Sequence, residues 1–313
     1  MLRVTTPAKC IWVGEQFVRH TGAVASAVDL YVTAVATLDV DGLEDVQLEA
    51  DADGHRVFAA VAKALQRRPL PFRVRLVNDI PTHVGLGTSS ALTVTCVALL
   101  RALQGDPFER RAIFDTALRL ERAFCGDAVS GVDTCACVYG GTHFYAGAHV
   151  PPVPLHRRYP SRVYLIPSGL PHDASCAEAL TEEGIARMTA LVARFRALQA
   201  DGGDDLGAML GEAHAILRAE GLSAPAVDSL VYQRLKGRAK VTGRGRGGCV
   251  LALEGGDASQ LRRVVHAGVC VHGSASLHVP GALQPPPSAA AGAAADGVAC
   301  SNIALVKYWG KVG

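Results

Sequence analysis

The sequence has no excess of either charge, no paired-cysteine motif and no long apolar run. Its 31 Lys and Arg residues nearly balance its 29 Asp and Glu residues, so it lacks the basic surplus of a polyanion-binding protein, and nucleic acid is not an expected partner. None of its 9 cysteines belongs to a CxxC pair, which excludes the usual zinc and redox motifs. We expect most of them to be small buried residues in a reducing cytoplasm.

No segment has the length of a membrane span. The longest apolar stretch, residues 91–103, is interrupted by Thr93 and Arg101 and is too short to cross a bilayer. Polar residues from Arg3 to Lys9 leave no apolar signal region at the start. We therefore expect a cytoplasmic protein that has no membrane partner.

The residue patterns predict a mixed α+β architecture. Residues 32–38 and 72–77 are β-like, whereas 55–67, 107–125, 174–200 and 204–220 have helical patterns. A chain of 313 residues is long enough for two domains, and a Pro-rich passage near residue 150 divides it into domains at 1–150 and 151–280. Residues 281–297 have the low complexity of a linker, which leaves a short tail at 298–313.

A glycine-rich segment from Pro81 runs directly into a strongly helical stretch. Gly85 and Gly87 permit a close backbone approach, and the hydroxyl residues at 88–90 follow at the predicted helix start. There, free N–H groups and the positive end of the helix dipole favour an anion such as phosphate. Hydroxyls at a helix start are also common N-caps, but two close glycines followed by three hydroxyls favour phosphate binding.

A second glycine-rich segment starts at Ala239 and matches GxGxxG through Gly243, Gly245 and Gly248. Dinucleotide binding needs a strand before this motif and a helix after it, whereas β-like residues flank it here on both sides. The sequence also has no GxxxxGK[ST] motif, so the usual P-loop is absent.

Two carboxylates occupy unusual positions. Glu121 lies on the same helical stripe as Phe114, Leu118 and Cys125, and an acid on an inward stripe needs a cation or hydrogen bonds to offset its burial. Asp133 follows a flexible Ser-Gly turn and is isolated among uncharged residues. It is either a turn cap or a functional carboxylate.

Three segments together resemble the motifs of the GHMP kinase superfamily, in the same order and at similar spacing. They are PAKCIWVGEQFVRHTG from Pro7, GLGTSS from Gly85 and KVTGRGRGGC from Lys240. The resemblance covers about residues 2–280, and the first and third segments are similar to the mevalonate kinase family in particular. It implies the two-domain GHMP kinase fold with the active site in the cleft between domains.

The resemblance also implies an activity, the phosphorylation of mevalonate with ATP and Mg²⁺, and a homodimeric enzyme. The alternatives are a phosphomevalonate kinase, which would need a basic pocket for the substrate phosphate, and a degenerate, non-catalytic binding protein of the same fold.

Roles follow from the resemblance residue by residue. It implies that Asp133 is the catalytic base and that Lys9 lies beside it and the reacting hydroxyl. The implied magnesium ligands are Ser89 and Glu121. The implied substrate-binding or site-organising residues are Glu15, Gln16 and Thr242, together with His20 as either a substrate contact or a structural histidine. The implied ATP-binding residues are Gly85, Leu86, Gly87, Thr88, Ser89, Ser90, Gly243 and Gly245.

The sequence departs from the family pattern at several positions. Gln16 replaces the usual His, and the interval from Glu121 to Asp133 is one residue longer than is typical. Arg244 and Arg246 stand where Ala and Gly are usual. These arginines either obstruct the nucleotide or point outwards and add positive charge near phosphate.

The last residues carry a separate resemblance. CSNIALVKYWGK, from Cys300, is similar to the first strand of diphosphomevalonate decarboxylase. We expect this tail to be the remnant or junction of a fused gene.

Overall fold

The computed structural model describes residues 1–38, 45–66, 71–155, 159–172, 179–198 and 205–273. Residues from Met1 to Gly273 form one compact unit. The predicted linker at 281–297 and the predicted tail at 298–313 lie outside the described residues, so both stay predictions.

Eleven strands are present in the described residues, and they form two sheets. The strands are β1 (Leu2–Val13), β2 (Ala23–Leu38), β3 (Gln47–Glu49), β4 (Phe72–Asn78), β5 (Thr142–Tyr145), β6 (Val153–Pro154), β7 (Arg162–Pro167), β8 (Ala239–Val241), β9 (Cys249–Ala252), β10 (Leu261–Arg263) and β11 (Cys270–His272). The first sheet has the order β11-β1-β2-β4-β3, with β5 paired to β2 and β6 to β5. The second sheet is antiparallel, with the order β10-β7-β9-β8.

Eight α-helices accompany the sheets in the same described ranges. They are α1 (Val18–Thr21), α2 (Ala52–Ala64), α3 (Thr88–Leu103), α4 (Arg110–Cys125), α5 (Val132–Tyr139), α6 (Glu182–Ala197), α7 (Leu206–Ala219) and α8 (Pro225–Ser229), the last of which continues into a short π-helix, Leu230–Arg234. The mixed α+β class predicted from sequence is therefore confirmed. No helix in the described parts of the chain combines the length and apolar character needed to cross a membrane.

Strand β1 is the centre of the fold. Its residues from Thr6 to Val13 are all buried, because β2 and β11 pair with its edges while α3, α5, α6 and α7 contact it. Burial on both faces explains why residues 10–13 of β1 are all apolar, whereas β4, with one buried face, alternates buried and exposed residues. Lys9 is thus a charged residue on one of the most buried strands.

Helices α3 and α4 bring the predicted motifs to β1. The apolar stretch that is too short for a membrane span is α3, whose residues from Ser90 to Leu100 are all buried. On α4, the buried face includes Phe114, Leu118 and Glu121, as the helical stripe predicts, but the terminal Cys125 is exposed. Helix fraying at the last turn, next to the C-cap Gly126, accounts for that difference.

The two sheets do not divide the chain at a single point. Strand β6 extends the first sheet past residue 150, and β11 returns to pair with β1 after the second sheet is complete. The domain division at residue 150 stays a prediction. The return of the chain places the third glycine-rich segment, between β8 and β9, against the first two motifs.

Candidate active site

The loop before α3 contacts both β1 and β9 through backbone hydrogen bonds. Lys9 N–H donates to the Leu86 carbonyl at 3.0 Å, and Cys249 N–H donates to the Val84 carbonyl at 2.9 Å. Gly85 and Gly243 lie in contact, both with positive φ, and a Cβ on Gly243 would lie only 2.5 Å from the Cα of Gly85. No larger residue fits this contact, which explains the glycines in both segments.

Lys9 and Asp133 form an ion pair at this junction. The Lys9 Nζ lies 3.0 Å from Asp133 Oδ1, and the Lys9 side chain is 1% exposed whereas that of Asp133 is 34% exposed. Gly87 covers the lysine stem, since a Cβ there would lie 2.8 Å from Lys9 Cγ. Asp133 stands in the first turn of α5. The pair thus presents a partly exposed carboxylate beside a buried cation, which suits proton abstraction from an alcohol.

The start of α3 has the form of an anion site. Its N-cap is Gly87 in the left-handed conformation, and no side chain among the described residues caps the helix. Thr88 instead donates its hydroxyl to the Pro81 carbonyl at 3.1 Å. The first backbone N–H groups of a long helix therefore remain available to a ligand, next to Lys9. The hydroxyls of Thr88, Ser89 and Ser90 therefore do not act as N-caps of α3.

Glu121 is a buried carboxylate held by two hydroxyls. Ser90 donates to its Oε1 at 2.6 Å, and Thr134 donates to its Oε2. Burial raises the pKa of Glu121 to about 7, an effect that the two hydrogen bonds oppose and the nearby Asp133 carboxylate adds to. A cation at this position would favour the ionised form.

The two predicted magnesium ligands differ in exposure, because Ser89 is exposed whereas Glu121 is buried. Ser89 is exposed at the first turn of α3, and it is the adjacent Ser90, not Ser89, that contacts Glu121. No group of three or more His, Cys, Asp or Glu side chains in the described ranges is arranged to hold a metal. Mg²⁺ in phosphoryl-transfer enzymes commonly takes one or two protein oxygens and completes its shell with substrate phosphates and water. Because the contacts described for Glu121 reach Ser90 and Thr134 and not Ser89, the pair of magnesium ligands stays a prediction.

A second buried pair joins the first and third motifs. Lys240 on β8 donates to the Glu15 carboxylate, to the Ile11 carbonyl at 3.1 Å and to the Val241 carbonyl at 2.6 Å. Burial raises the pKa of Glu15 and lowers that of Lys240, while each charge opposes the shift in its partner. Glu15 was predicted as a substrate-binding residue, and its contacts are those of a residue that ties β1 to β8. Lys240 was not predicted, although it begins the third segment.

The remaining predicted substrate residues lie in different environments. Thr242 is buried and accepts a hydrogen bond from Ile11 N–H at 3.3 Å. Gln16 is exposed, has a φ of 63°, and its amide lies 3.5 Å from the Gly243 carbonyl. His20 is exposed on α1. None of the contacts described for His20 reaches another predicted site residue.

The two unexpected arginines behave differently. Arg246 Nε donates to the Gly221 carbonyl at 2.8 Å, and its backbone N–H donates to the Leu222 carbonyl at 3.1 Å. These bonds turn the side chain towards the loop before α8. Arg244 is exposed. Of the two interpretations made from sequence, the outward one describes Arg246.

Comparison with known proteins defines the class. Residues 55–141 match the family model of the GHMP kinases N terminal domain. That segment contains the uncapped start of α3, Glu121 and Asp133. The chain therefore carries a GHMP kinase N-terminal domain and is an ATP-dependent kinase, as its sequence motifs predict.

Relatives narrow the class further. The chain is 29% identical to the mevalonate kinase of Aeropyrum pernix over 286 residues, which cover 80% of this chain and 88% of the relative. It is 30% identical to the homoserine kinase of Thermus thermophilus, over 58% of this chain and 63% of that protein. A crystal structure of mevalonate kinase superposes with a TM-score of 0.70 at 16% identity, covering 85% of this chain and all of that one. The last comparison supports the fold alone.

Proposed function

We propose that the chain is a mevalonate kinase, which transfers the terminal phosphoryl group of ATP to the primary hydroxyl of mevalonate. The observation that carries this proposal is the Lys9–Asp133 pair, set beside the uncapped start of α3. Mevalonate is the proposed acceptor because the matches to mevalonate kinases cover 80% and 81% of this chain, whereas the match to a homoserine kinase covers 58%.

The reaction uses the Lys9–Asp133 pair for the acceptor and the start of α3 for the phosphates. The acceptor hydroxyl lies against Asp133, whose carboxylate takes its proton as the oxygen attacks the terminal phosphorus of ATP. A new O–P bond forms while the bond from that phosphorus to the bridging oxygen of ADP breaks. The Lys9 ammonium stabilises the developing alkoxide, and the N–H groups of α3 at Thr88, Ser89 and Ser90 bind phosphate oxygens.

Glu121 and Ser89 are the proposed protein ligands of Mg²⁺. When bound, the ion neutralises charge on the ATP phosphates. The buried Glu121 carboxylate is the group in the site that most needs a nearby cation, because burial raises its pKa. Ser90 and Thr134 hold this carboxylate in place through their hydroxyls.

The alternatives make different demands on the same residues. A degenerate binding protein would not need Lys9 paired with Asp133 and Glu121 close to both, and the presence of these three residues at one junction argues against it. A phosphomevalonate kinase would favour the phosphorylated acceptor. A homodimer and a cytoplasmic location stay predictions.

One experiment tests the activity. We expect magnesium-dependent ADP release to be largest with mevalonate when mevalonate, phosphomevalonate, galactose and homoserine are compared side by side at equal concentrations. Asp133→Asn protein, purified in parallel, measures the background ATPase activity. A clear preference for any other acceptor would overturn the proposed substrate, and release equal to that of Asp133→Asn with all four would overturn the enzymatic function.

A further inference from the structure

The turn that leads into α5 sets the position of Asp133. Asp133 is the second residue of this eight-residue helix, whose N-cap is Gly131 with a φ of 95°. No side chain among the described residues caps the helix, and the chain before the turn is exposed from Gly126 to Ala128. The backbone in front of Asp133 therefore depends on contacts from neighbouring elements to keep its place.

Tyr145, on β5, supplies such a contact. Its hydroxyl donates to the Ser130 carbonyl at 2.8 Å, and the residue is only 1% exposed. Gly131 packs directly on the same hydroxyl, since a Cβ there would lie 2.6 Å from the Tyr145 oxygen. Strand β5 is paired to β2, with Tyr145 opposite Ala23, so the hydroxyl is carried by a sheet and not by a loop.

A second contact reaches the same turn from α4. Arg122 donates its Nε to the Val129 carbonyl at 3.2 Å. This bond is longer than that of Tyr145, and an arginine side chain loses more rotamer freedom than a tyrosine when it is held in one position. Tyr145 is therefore the firmer of the two anchors.

Packing of the Tyr145 ring does not explain its hydroxyl. The ring packs against Phe114 with their centroids 6.3 Å apart, and Tyr139 packs on the same Phe114 at 6.1 Å. A phenylalanine would make this contact equally well, whereas a buried hydroxyl needs a hydrogen-bond partner. Burial raises the pKa of Tyr145 above its ordinary value, so the hydroxyl keeps its proton and remains a donor to Ser130.

The proposed role of Asp133 makes the position of this turn important. A general base has to lie within hydrogen-bond distance of the proton that it takes, and a misplacement of about 1 Å can cost about 100-fold in rate. Lys9 holds the carboxylate end of Asp133 through their ion pair at 3.0 Å. The turn before α5 holds the backbone end.

We propose that Tyr145 is a positioning residue for Asp133. Its hydroxyl fixes the turn at Ser130 and Gly131, and the turn keeps the Asp133 carboxylate at the distance from the acceptor hydroxyl that proton transfer requires. Tyr145 acts through Asp133 and does not bind the substrate. The inference rests on the proposed function, because it takes Asp133 as the base.

The test removes the hydroxyl and keeps the ring. Tyr145→Phe is compared with wild type and with Tyr139→Phe, the matched control. Tyr139 belongs to the same aromatic cluster, and its hydroxyl has no hydrogen bond to another described residue. Gly131→Ala is a second variant that disturbs the same contact, because its Cβ would meet the Tyr145 hydroxyl. Circular dichroism and thermal melting check that each protein is folded.

We expect Tyr145→Phe to lower kcat with mevalonate by about 10-fold to 100-fold, while the KM values for mevalonate and ATP stay within about 2-fold of wild type. Gly131→Ala should show the same division between kcat and KM, and Tyr139→Phe should match wild type. A merely structural role would not confine the loss to kcat.

A double-variant cycle isolates the path through Asp133. Where Asp133→Asn has already removed the base, adding Tyr145→Phe should change the residual kcat by less than about 2-fold, because residues that act as a unit are not additive. Residual turnover is followed with radiolabelled ATP over long incubations. An equal fold-loss in both backgrounds would mean that Tyr145 acts on something other than Asp133, and it would overturn the proposal.

The possible failures have separate meanings. Wild type that does not phosphorylate mevalonate overturns the proposed function and this inference with it. If wild type is active, a folded Tyr145→Phe protein with a kcat within about 2-fold of wild type overturns the positioning role alone; should that variant not fold, the same result from Gly131→Ala does so. A loss in KM instead of kcat, or an equal loss in Tyr139→Phe, also overturns it.

Discussion

Replacing Lys240 with Met removes the cation from a buried carboxylate. Lys240 is fully buried and donates to Glu15 and to two backbone carbonyls. Met fills a similar volume but offers neither charge nor donors. Because an unpaired buried carboxylate is far more costly than a neutral carboxyl, we expect Glu15 to bind a proton in this variant.

The free energy needed to hold Glu15 protonated at pH 7 gives the expected loss of stability. The ordinary pKa of a Glu carboxyl is 4.5, and each pH unit above it costs about 1.4 kcal/mol when the group is held protonated. At pH 7 the variant should therefore lose about 3 kcal/mol of unfolding free energy, which agrees with the range of about 3 to 5 kcal/mol for breaking a buried ion pair.

The loss should depend on pH in one direction. In the variant, the pKa of Glu15 is higher in the folded state than in the unfolded state. The contribution of protonated Glu15 to the unfolding free energy is therefore fully present below the unfolded-state pKa and is lost as the pH rises. The deficit relative to wild type should shrink by at most about 1.4 kcal/mol for each pH unit between pH 7 and pH 5, because burial raises the pKa of Glu15 in wild type as well.

Urea unfolding followed by circular dichroism at several pH values measures this deficit. The double variant Glu15→Gln/Lys240→Met is the matched control, because it has no buried acid; it should recover most of the loss at pH 7 and show no pH-dependent difference. A Lys240→Met protein as stable as wild type at pH 7, or one with the same deficit at pH 5 and pH 7, would refute the reasoning.

Two further predictions concern the chemical step. Asp133→Asn should lower kcat by about 100-fold to 10,000-fold with a smaller effect on ATP binding, because the amide cannot accept the hydroxyl proton; steady-state kinetics with near-normal kcat would remove Asp133 from the role of base. Glu121→Gln and Ser89→Ala should each raise the magnesium concentration needed for half-maximal activity, because the first replaces a charged carboxylate by a neutral amide and the second removes a hydroxyl oxygen. Magnesium titrations that match wild type for both variants would contradict the proposed ligands.

Local sequence patterns predicted the elements that carry the site. Apolar periodicity predicted α4 together with its inward Glu121, and two glycines before three hydroxyls predicted that α3 starts at residues 88–90. In these cases the signal lies within a few residues, where helix geometry and glycine conformation determine the outcome.

Pairings between distant residues could not be predicted in this way. Glu15 and Lys240 are 225 positions apart, and nothing local to either indicates its partner. Ser90 contacts Glu121 whereas Ser89 does not, because successive residues of an α-helix point in directions about 100° apart, so only one of the two hydroxyls faces the carboxylate.

The position of β1 has a consequence for synthesis of the chain on the ribosome. This first strand needs β11 as one of its neighbours, and Glu15 needs Lys240. A nascent chain emerges from its N-terminus at about 5 to 20 residues per second, so the earliest segment waits many seconds for the partners that enclose it. During that time its apolar residues and the Glu15 carboxylate are accessible to water and chaperones, and β1 can meet the third glycine-rich segment only after that segment has emerged.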